Sequence, residues 1–193
     1  MPRLVLCSTS RYRRELLERL QLPFESAAPD IDESPLARET VVALIERLAL
    51  AKARALTTRF PDALLIGSDQ AARCDGHLLG KPGTRDRAIE QLRRVSGREV
   101  EFHTAVAVLD GASGQHRCER DLTRVRFREL RDRDIERYLD REPALDCAGS
   151  FKCEGLGIAL FEAIDTHDPT ALIGLPLIAT ARLLRSFGLD PLG

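Results

Sequence analysis

Short apolar runs and helical stripes alternate along this chain. Residues 4–7, Leu-Val-Leu-Cys, are apolar without interruption and predict a short buried strand. Ser8, Thr9 and Ser10 follow as N-cap candidates for a helix reaching about Leu20. Leu22-Pro23-Phe24 then turns the chain into an acidic loop over residues 30–33. From residue 38 to about residue 59, Val41, Val42, Ile45, Leu48, Ala49 and Ala55 recur at helical spacing, and Pro61 is expected to end that helix. Residues 63–67 are again apolar throughout, which a solvent-facing strand cannot be, so they belong at the centre of a sheet. Asp69 is expected just past the carboxyl end of that strand.

Gly76 and the run Gly80-Lys81-Pro82-Gly83 punctuate a loop, after which Thr84 or Asp86 caps a helix through Val95 that Ser96-Gly97 stops. Val100, Phe102, Thr104, Val106 and Val108 alternate with other residues, and Asp110-Gly111 starts a turn. In the returning strand Val125 and Phe127 face one way and Arg124, Arg126 and Arg128 the other, so the two strands read as a long antiparallel pair. A helix over residues 132–140 ends before Pro143, glycine-rich loops surround residues 151–157, and a last helix over residues 176–187 stops at Gly188. There is no internal repeat or flexible linker. The pattern predicts an α/β fold with a mixed sheet flanked by helices.

Length and composition narrow the class. At 193 residues the chain suits one compact domain, residues 1–193, with a sizeable core. It is 44% hydrophobic and 31% charged with net charge −1, which disfavours disorder and a general polyanion-binding surface. Phosphate chemistry would therefore have to come from local clusters. The five cysteines form an odd set without a CxxC pair, which argues against a disulfide framework or a zinc ribbon and fits a reducing cytoplasm. Its apolar runs are too short for a signal peptide or a membrane span, so a soluble cytoplasmic protein is expected.

Candidate chemistry begins at the first turn. Free N–H groups at a helix N-terminus attract phosphate or carboxylate, and Arg13 and Arg14 can grip phosphate oxygens in pairs. A capped surface helix with solvated arginines explains the same residues. Lys52 lies at helical spacing from Ile45, Leu48 and Ala55, on or beside the apolar stripe. It either snorkels along apolar surface or aims a charge into a cleft. Lys81, between Gly80 and Pro82, invites the same two readings; with Lys152 these are the chain's three lysines. Asp69, at a strand end, is either a turn former or a ligand-side carboxylate. With Asp32 and Glu33 it could hold Mg²⁺ or Mn²⁺, or act as a base toward water.

Acid, metal and clustered cations point to phosphoryl or nucleotidyl transfer. The chain has neither a GxxxxGKS/T P-loop nor a GxGxxG fingerprint, which disfavours kinase, GTPase and Rossmann readings. The four histidines show no metal-like spacing. The arginines at 124, 126 and 128 alternate with acids, which favours a solvated charged face over a nucleic-acid surface.

Taken in order, CSTSRYRRELL, DIDE, LALAKA, IGSDQ, GKP, AGSFKCEGLG and IGLPL resemble the motif set of Maf-like nucleoside triphosphate pyrophosphatases, over nearly the whole chain. The subgroup acting on 7-methyl-GTP is the most similar. The resemblance implies an elongated, inosine triphosphatase-like α/β fold with two lobes around a cleft, a cytoplasmic homodimer, and a divalent-metal-dependent hydrolase that yields the monophosphate and diphosphate. It makes Asp69 the proton acceptor and gives the phosphate and metal environment to Ser8, Arg13, Arg14, Glu33, Lys52 and Lys81, with Glu33 and Asp69 on the metal. Tyr12, Gln70 and Glu154 match the three positions that separate substrate subgroups.

Physical chemistry bears on that trio. A 7-methylguanine base is cationic near neutral pH, so the Tyr12 ring can stack on it with a cation–π gain of roughly 0.5–2 kcal/mol. Glu154 can accept from guanine N1–H and the exocyclic amine, and Gln70 offers both a donor and an acceptor. Position 11 is arginine where the family often has proline, and Tyr12 stands where this subgroup leads one to expect tryptophan. The competing expectations are a pyrophosphatase selective for dTTP or UTP, and a nucleotide-binding regulator of cell division without turnover.

Overall fold

The computed structural model describes residues 2–193. Its elements, in chain order, are β1 (Arg3–Cys7), α1 (Arg11–Glu18), β2 (Glu25–Ala27), α2 (Val41–Arg54), β3 (Ala63–Cys74), β4 (His77–Leu79), α3 (Arg85–Val95), β5 (Glu99–Asp110), β6 (His116–Phe127), α4 (Asp132–Arg141), β7 (Phe161–Asp165) and α5 (Leu177–Ser186). The strands form one sheet in the order β2-β1-β3-β5-β6-β7, with β4 paired to β3. β1 runs parallel to both β2 and β3, whereas β3–β4 and β6–β7 are antiparallel, so the sheet is mixed as expected. The five residues between β5 and β6 are too few for a parallel crossover, and Asp110 N–H donates to Gln115 O across the turn, which makes this pair the expected long hairpin.

The chain divides into two compact units. Residues 1–70, 103–121 and 168–193 make the first, and residues 71–102 and 122–167 the second. In the first unit β1 and β3 are covered on both faces. Leu4, Leu6, Leu64 and Ile66 pack with Leu16 and Leu17 of α1 and Leu183 and Leu184 of α5. Val5, Cys7, Ala63 and Leu65 pack on the other side with Ala53, Leu56 and Phe60. Period-two strands buried on both faces read as unbroken apolar runs, which is why residues 4–7 and 63–67 look as they do.

The second unit gathers Phe102, Phe127, Phe151 and Phe161 edge to face, with centroid separations of 4.9–5.5 Å. There α3 and α4 are tied by Arg93–Asp132 at 2.8 Å and Arg85–Asp140 at 2.6 Å. The alternating arginines sit on a charged face: Arg126 pairs with Glu162 at 3.2 Å and Arg128 with Asp134 at 3.5 Å.

Three expectations are corrected. The second helix spans only Val41–Arg54 and loosens into turns before Pro61, so the proline follows the stop and does not cause it. β2, β4 and β7 fall where loops were read; they are three to five residues long, too short for a hydrophobic period to register. Asp69 lies inside the twelve-residue β3, not past its end. The reason is register: β1 ends at Cys7 and its pairing with β3 runs to Leu6–Ile66, so Asp69 is beyond the carboxyl end of its parallel neighbour while its own strand continues. No helix among the described residues is long and apolar enough to cross a membrane.

Candidate active site

Lys52 continues the buried stripe Leu44, Ile45, Leu48, Ala49 of α2 and is itself 4% exposed. Its ammonium does not snorkel. Nζ donates to Asp69 Oδ1 at 2.6 Å and lies 2.9 Å from Glu33 Oε1. Asp69 is 8% exposed, so both members of the closest pair are withdrawn from water, whereas the Glu33 side chain keeps 59% of its surface. A buried charge survives only when it is paired, and here each supplies the other's partner.

Gly67 makes that pairing possible. A Cβ at this position would stand 2.0 Å from Ala49 O and 3.0 Å from Ala53 N, so only glycine lets β3 run this close to the backbone of α2. Two residues further along the same strand is Asp69, level with Lys52 one turn along the helix from Ala49.

The acidic loop is held over α2 by Arg47. Its Nε donates to Glu39 Oε1 at 2.6 Å, and its Nη2 donates to Glu39 Oε2 at 2.8 Å and to Ser34 O at 3.1 Å. The Arg47 bond, with the Leu36 N–H behind it, pulls the Glu39 carboxyl down to about 2. Asp32 Oδ1 accepts from Ser34 N, so Glu33 sits between two anchored neighbours.

At the first turn Ser10 caps α1 by accepting from Arg13 N at 3.4 Å, and the buried Ser8 accepts from Ser10 N at 3.1 Å. Arg13 Nε donates to Gly174 O at 2.9 Å. Burial pushes its guanidinium below its ordinary value, and the carboxylates of Asp69 and Glu33 pull it back up. Arg14 is exposed and pairs with Glu18 at 3.3 Å. Ser8, Thr9, Ser10, Arg11 and Arg14 line a pocket of ≈ 280 Å³ together with residues 26–28. Hydroxyls, arginines and a helix N-terminus around an open pocket suit an anion.

Gln70 is fixed by its surroundings. Nε2 contacts Ala171 O at 2.8 Å, Leu172 O at 3.1 Å and Thr104 Oγ1 at 3.0 Å. Backbone carbonyls only accept, so the amide nitrogen must face them, and Oε1 is the atom left to meet a ligand. The expectation that Gln70 offers both a donor and an acceptor is therefore narrowed to an acceptor. The half-buried Tyr12 carries the guanidinium of Arg11 over its ring, 4.7 Å from the centroid.

Lys81 and Glu154 belong to the second unit and are exposed. Glu154 follows a loop pinned by Lys152 N donating to Tyr138 Oη at 3.1 Å and Gly157 N to Glu142 Oε2 at 3.1 Å. Sequence reasoning left Ser68, Thr104 and Asp168 without roles. Ser68 Oγ lies 2.8 Å from Ala105 O and 2.9 Å from Gly174 O, and Asp168 Oδ2 accepts from Ile178 N at 2.7 Å and Ala179 N at 3.2 Å at the start of α5. The readable signal was IGLPL, whose Gly174 at φ +126° presents the carbonyl that holds both Arg13 and Ser68.

Among the described residues no three His, Cys, Asp or Glu side chains gather into a metal cage. Two carboxylates converging on one cation fit an ion of the Mg²⁺ type, which takes one or two carboxylates and completes its shell with substrate phosphates and water.

Over residues 3–187 the sequence matches the family described as Maf-like protein. A 7-methyl-GTP pyrophosphatase of Xanthomonas oryzae pv. oryzae is 60% identical over 188 residues, covering 97% of this chain and 98% of that one. Proteins of the same name from Xanthomonas campestris pv. campestris and Aromatoleum aromaticum are 61% and 59% identical, each over 97% of this chain and over 97% and 96% of their own. Among solved structures, the Staphylococcus aureus Ham1 protein is similar at a TM-score of 0.47 and 14% identity, over 65% of this chain and 71% of that one.

Proposed function

This chain belongs to the Maf-like protein family, and on that premise we propose that it hydrolyses 7-methyl-GTP to 7-methyl-GMP and diphosphate. The observation that carries the reading is the Lys52 ammonium shared by Asp69 and Glu33. The relatives' names supply the substrate.

Lys52 holds Asp69 through Oδ1, which leaves Oδ2 to take the proton from an attacking water. The water oxygen bonds to the α-phosphorus, the α–β anhydride bond breaks, and the diphosphate leaves with its electron pair. Arg13, Arg14, Lys52 and Lys81 offset the charge that builds on the leaving group, and Ser8 lies in the wall of the anion pocket. When bound, Mg²⁺ or Mn²⁺ withdraws charge from the phosphate oxygens, and Glu33 and Asp69 are the residues that would hold it.

Tyr12, Gln70 and Glu154 read the base. Gln70 Oε1 suits the N–H donors of guanine, and a Glu154 carboxylate suits a cationic ring. By its family the enzyme works in the cytoplasm as a homodimer and clears modified nucleotides from the pool that polymerases draw on. The test is diphosphate release from 7-methyl-GTP, GTP, dTTP and UTP at equal concentration with Mg²⁺ or Mn²⁺. Preference for 7-methyl-GTP is expected; preference for dTTP or UTP overturns the substrate, and no release from any of them overturns the reaction.

A further inference from the structure

Arg11 and Tyr12 are neighbours in sequence and partners in space. The Arg11 guanidinium carbon stands 4.7 Å from the Tyr12 ring centroid, and Nη2 donates to Tyr12 Oη at 2.8 Å. One side chain thus engages both the π face and the phenol of the other. Arg11 is exposed and is the first residue of α1, directly after the Ser10 cap.

That contact bears on base recognition. The negative face of an aromatic ring attracts whichever cation reaches it. A cationic purine on Tyr12 meets a ring whose attraction is already partly satisfied by a guanidinium. If it takes the same face it must displace Arg11. If it takes the opposite face, two positive charges lie within about one Debye length of each other and repel. Either geometry weakens binding of a cationic base and leaves a neutral guanine nearly untouched.

We infer that Arg11 is a specificity-determining residue: by occupying Tyr12 it lowers the enzyme's discrimination for 7-methyl-GTP over GTP. The inference rests on the reading of Tyr12 as the base-stacking residue. A rival role is visible, because Arg11 also lines the pocket with Ser8, Thr9, Ser10 and Arg14. An arginine acting there on phosphate would help both triphosphates alike.

Two variants separate these roles. Arg11→Gln removes the charge and keeps a hydrogen-bond donor. Arg11→Pro removes the side chain and suits the first helical position, since Ser10 already has the extended backbone (ψ 119°) that a following proline requires. In both, KM for 7-methyl-GTP at mildly acidic pH, where the base is cationic, is expected to fall about two- to fivefold, the worth of an exposed cation–π contact (about 0.5–1 kcal/mol). kcat and the KM for GTP should hold steady.

In a Tyr12→Leu background the Arg11 effect should vanish. An equal rise in KM for both nucleotides, or no change in either, overturns the inference. A Tyr12→Leu enzyme with unaltered preference overturns the reading of Tyr12 itself, and the inference with it. If Tyr12→Leu erodes the preference while the Arg11 variants leave it alone, only the inference fails.

Discussion

Lys52 and Asp69 are 17 positions apart in the chain, on a helix and on a strand, and their side chains meet at 2.6 Å in the interior of the first unit. Removing either partner leaves a buried charge uncompensated, whereas removing both does not. Lys52→Met and Asp69→Asn should each cut turnover by about 10²–10⁴-fold, the usual worth of a positioned base. Lys52→Met should also lose about 3–5 kcal/mol of stability, and the double variant should recover much of it. Denaturant midpoints of the four proteins, with diphosphate release, form the cycle. Additive stability losses would show that the pair is not coupled, and full activity in a folded Asp69→Asn protein would remove Asp69 from the chemistry.

Gly67→Ala tests the close approach of β3 to α2. The new methyl group would meet Ala49 O at 2.0 Å, and backbone cannot swing away as a side chain can. A loss of about 1–3 kcal/mol is expected from overpacking. Activity should fall further than stability alone explains, because the shift separates Lys52 from Asp69. Thermal melts and kcat measured well below the melting temperature distinguish the two effects. An active, fully stable variant would mean that the strand can relax without disturbing the pair.

Gln70→Glu probes the orientation of the Gln70 amide. The substitution puts an oxygen where Nε2 now faces the carbonyls of Ala171 and Leu172. Each buried group left unsatisfied costs about 1–3 kcal/mol. Facing acceptors disfavour the ionised form, so the new carboxyl should titrate above its unfolded value of about 4.3 in the folded protein. Its penalty is then smallest below that pH and grows as pH rises through the folded value. Urea midpoints of variant and parent at acid and neutral pH check the trend; a pH-independent difference would contradict the orientation.

Glu39 sets an acid limit on the loop that carries Glu33. Its carboxyl is held down to about 2 by Arg47, against about 4.3 when unfolded. The stabilisation is therefore complete above the unfolded value and is lost as pH falls through the folded one. Over that window the parent should lose stability faster than Glu39→Gln, which lacks the titrating group. Parallel slopes would show that the ion pair with Arg47 does not contribute.

Much of this protein was legible in the chain. The runs at 4–7 and 63–67 announced strands covered on both faces, and the stripe of α2 placed Lys52 on the buried side. Thr40, Thr84 and Ser10 mark the helix starts by their own hydrogen-bonding chemistry. These are local properties: a period, a cap or a breaker is written in adjacent residues. The motif order likewise carried the family, because it requires only that short segments recur in sequence.

Tertiary structure decided the rest. That Asp69 lies inside a strand depends on where its neighbour β1 ends, a property of pairing and not of residues 63–74. That Gln70 keeps only an acceptor depends on the carbonyls of Ala171 and Leu172, about a hundred residues away. That Tyr12 meets Arg11 depends on rotamers in three dimensions, although the two residues are adjacent. Hydrophobic period and capping act over a few residues and can be read there. The partner of a buried charge, or the direction of an amide, is set by whichever distant group the fold brings within hydrogen-bonding distance.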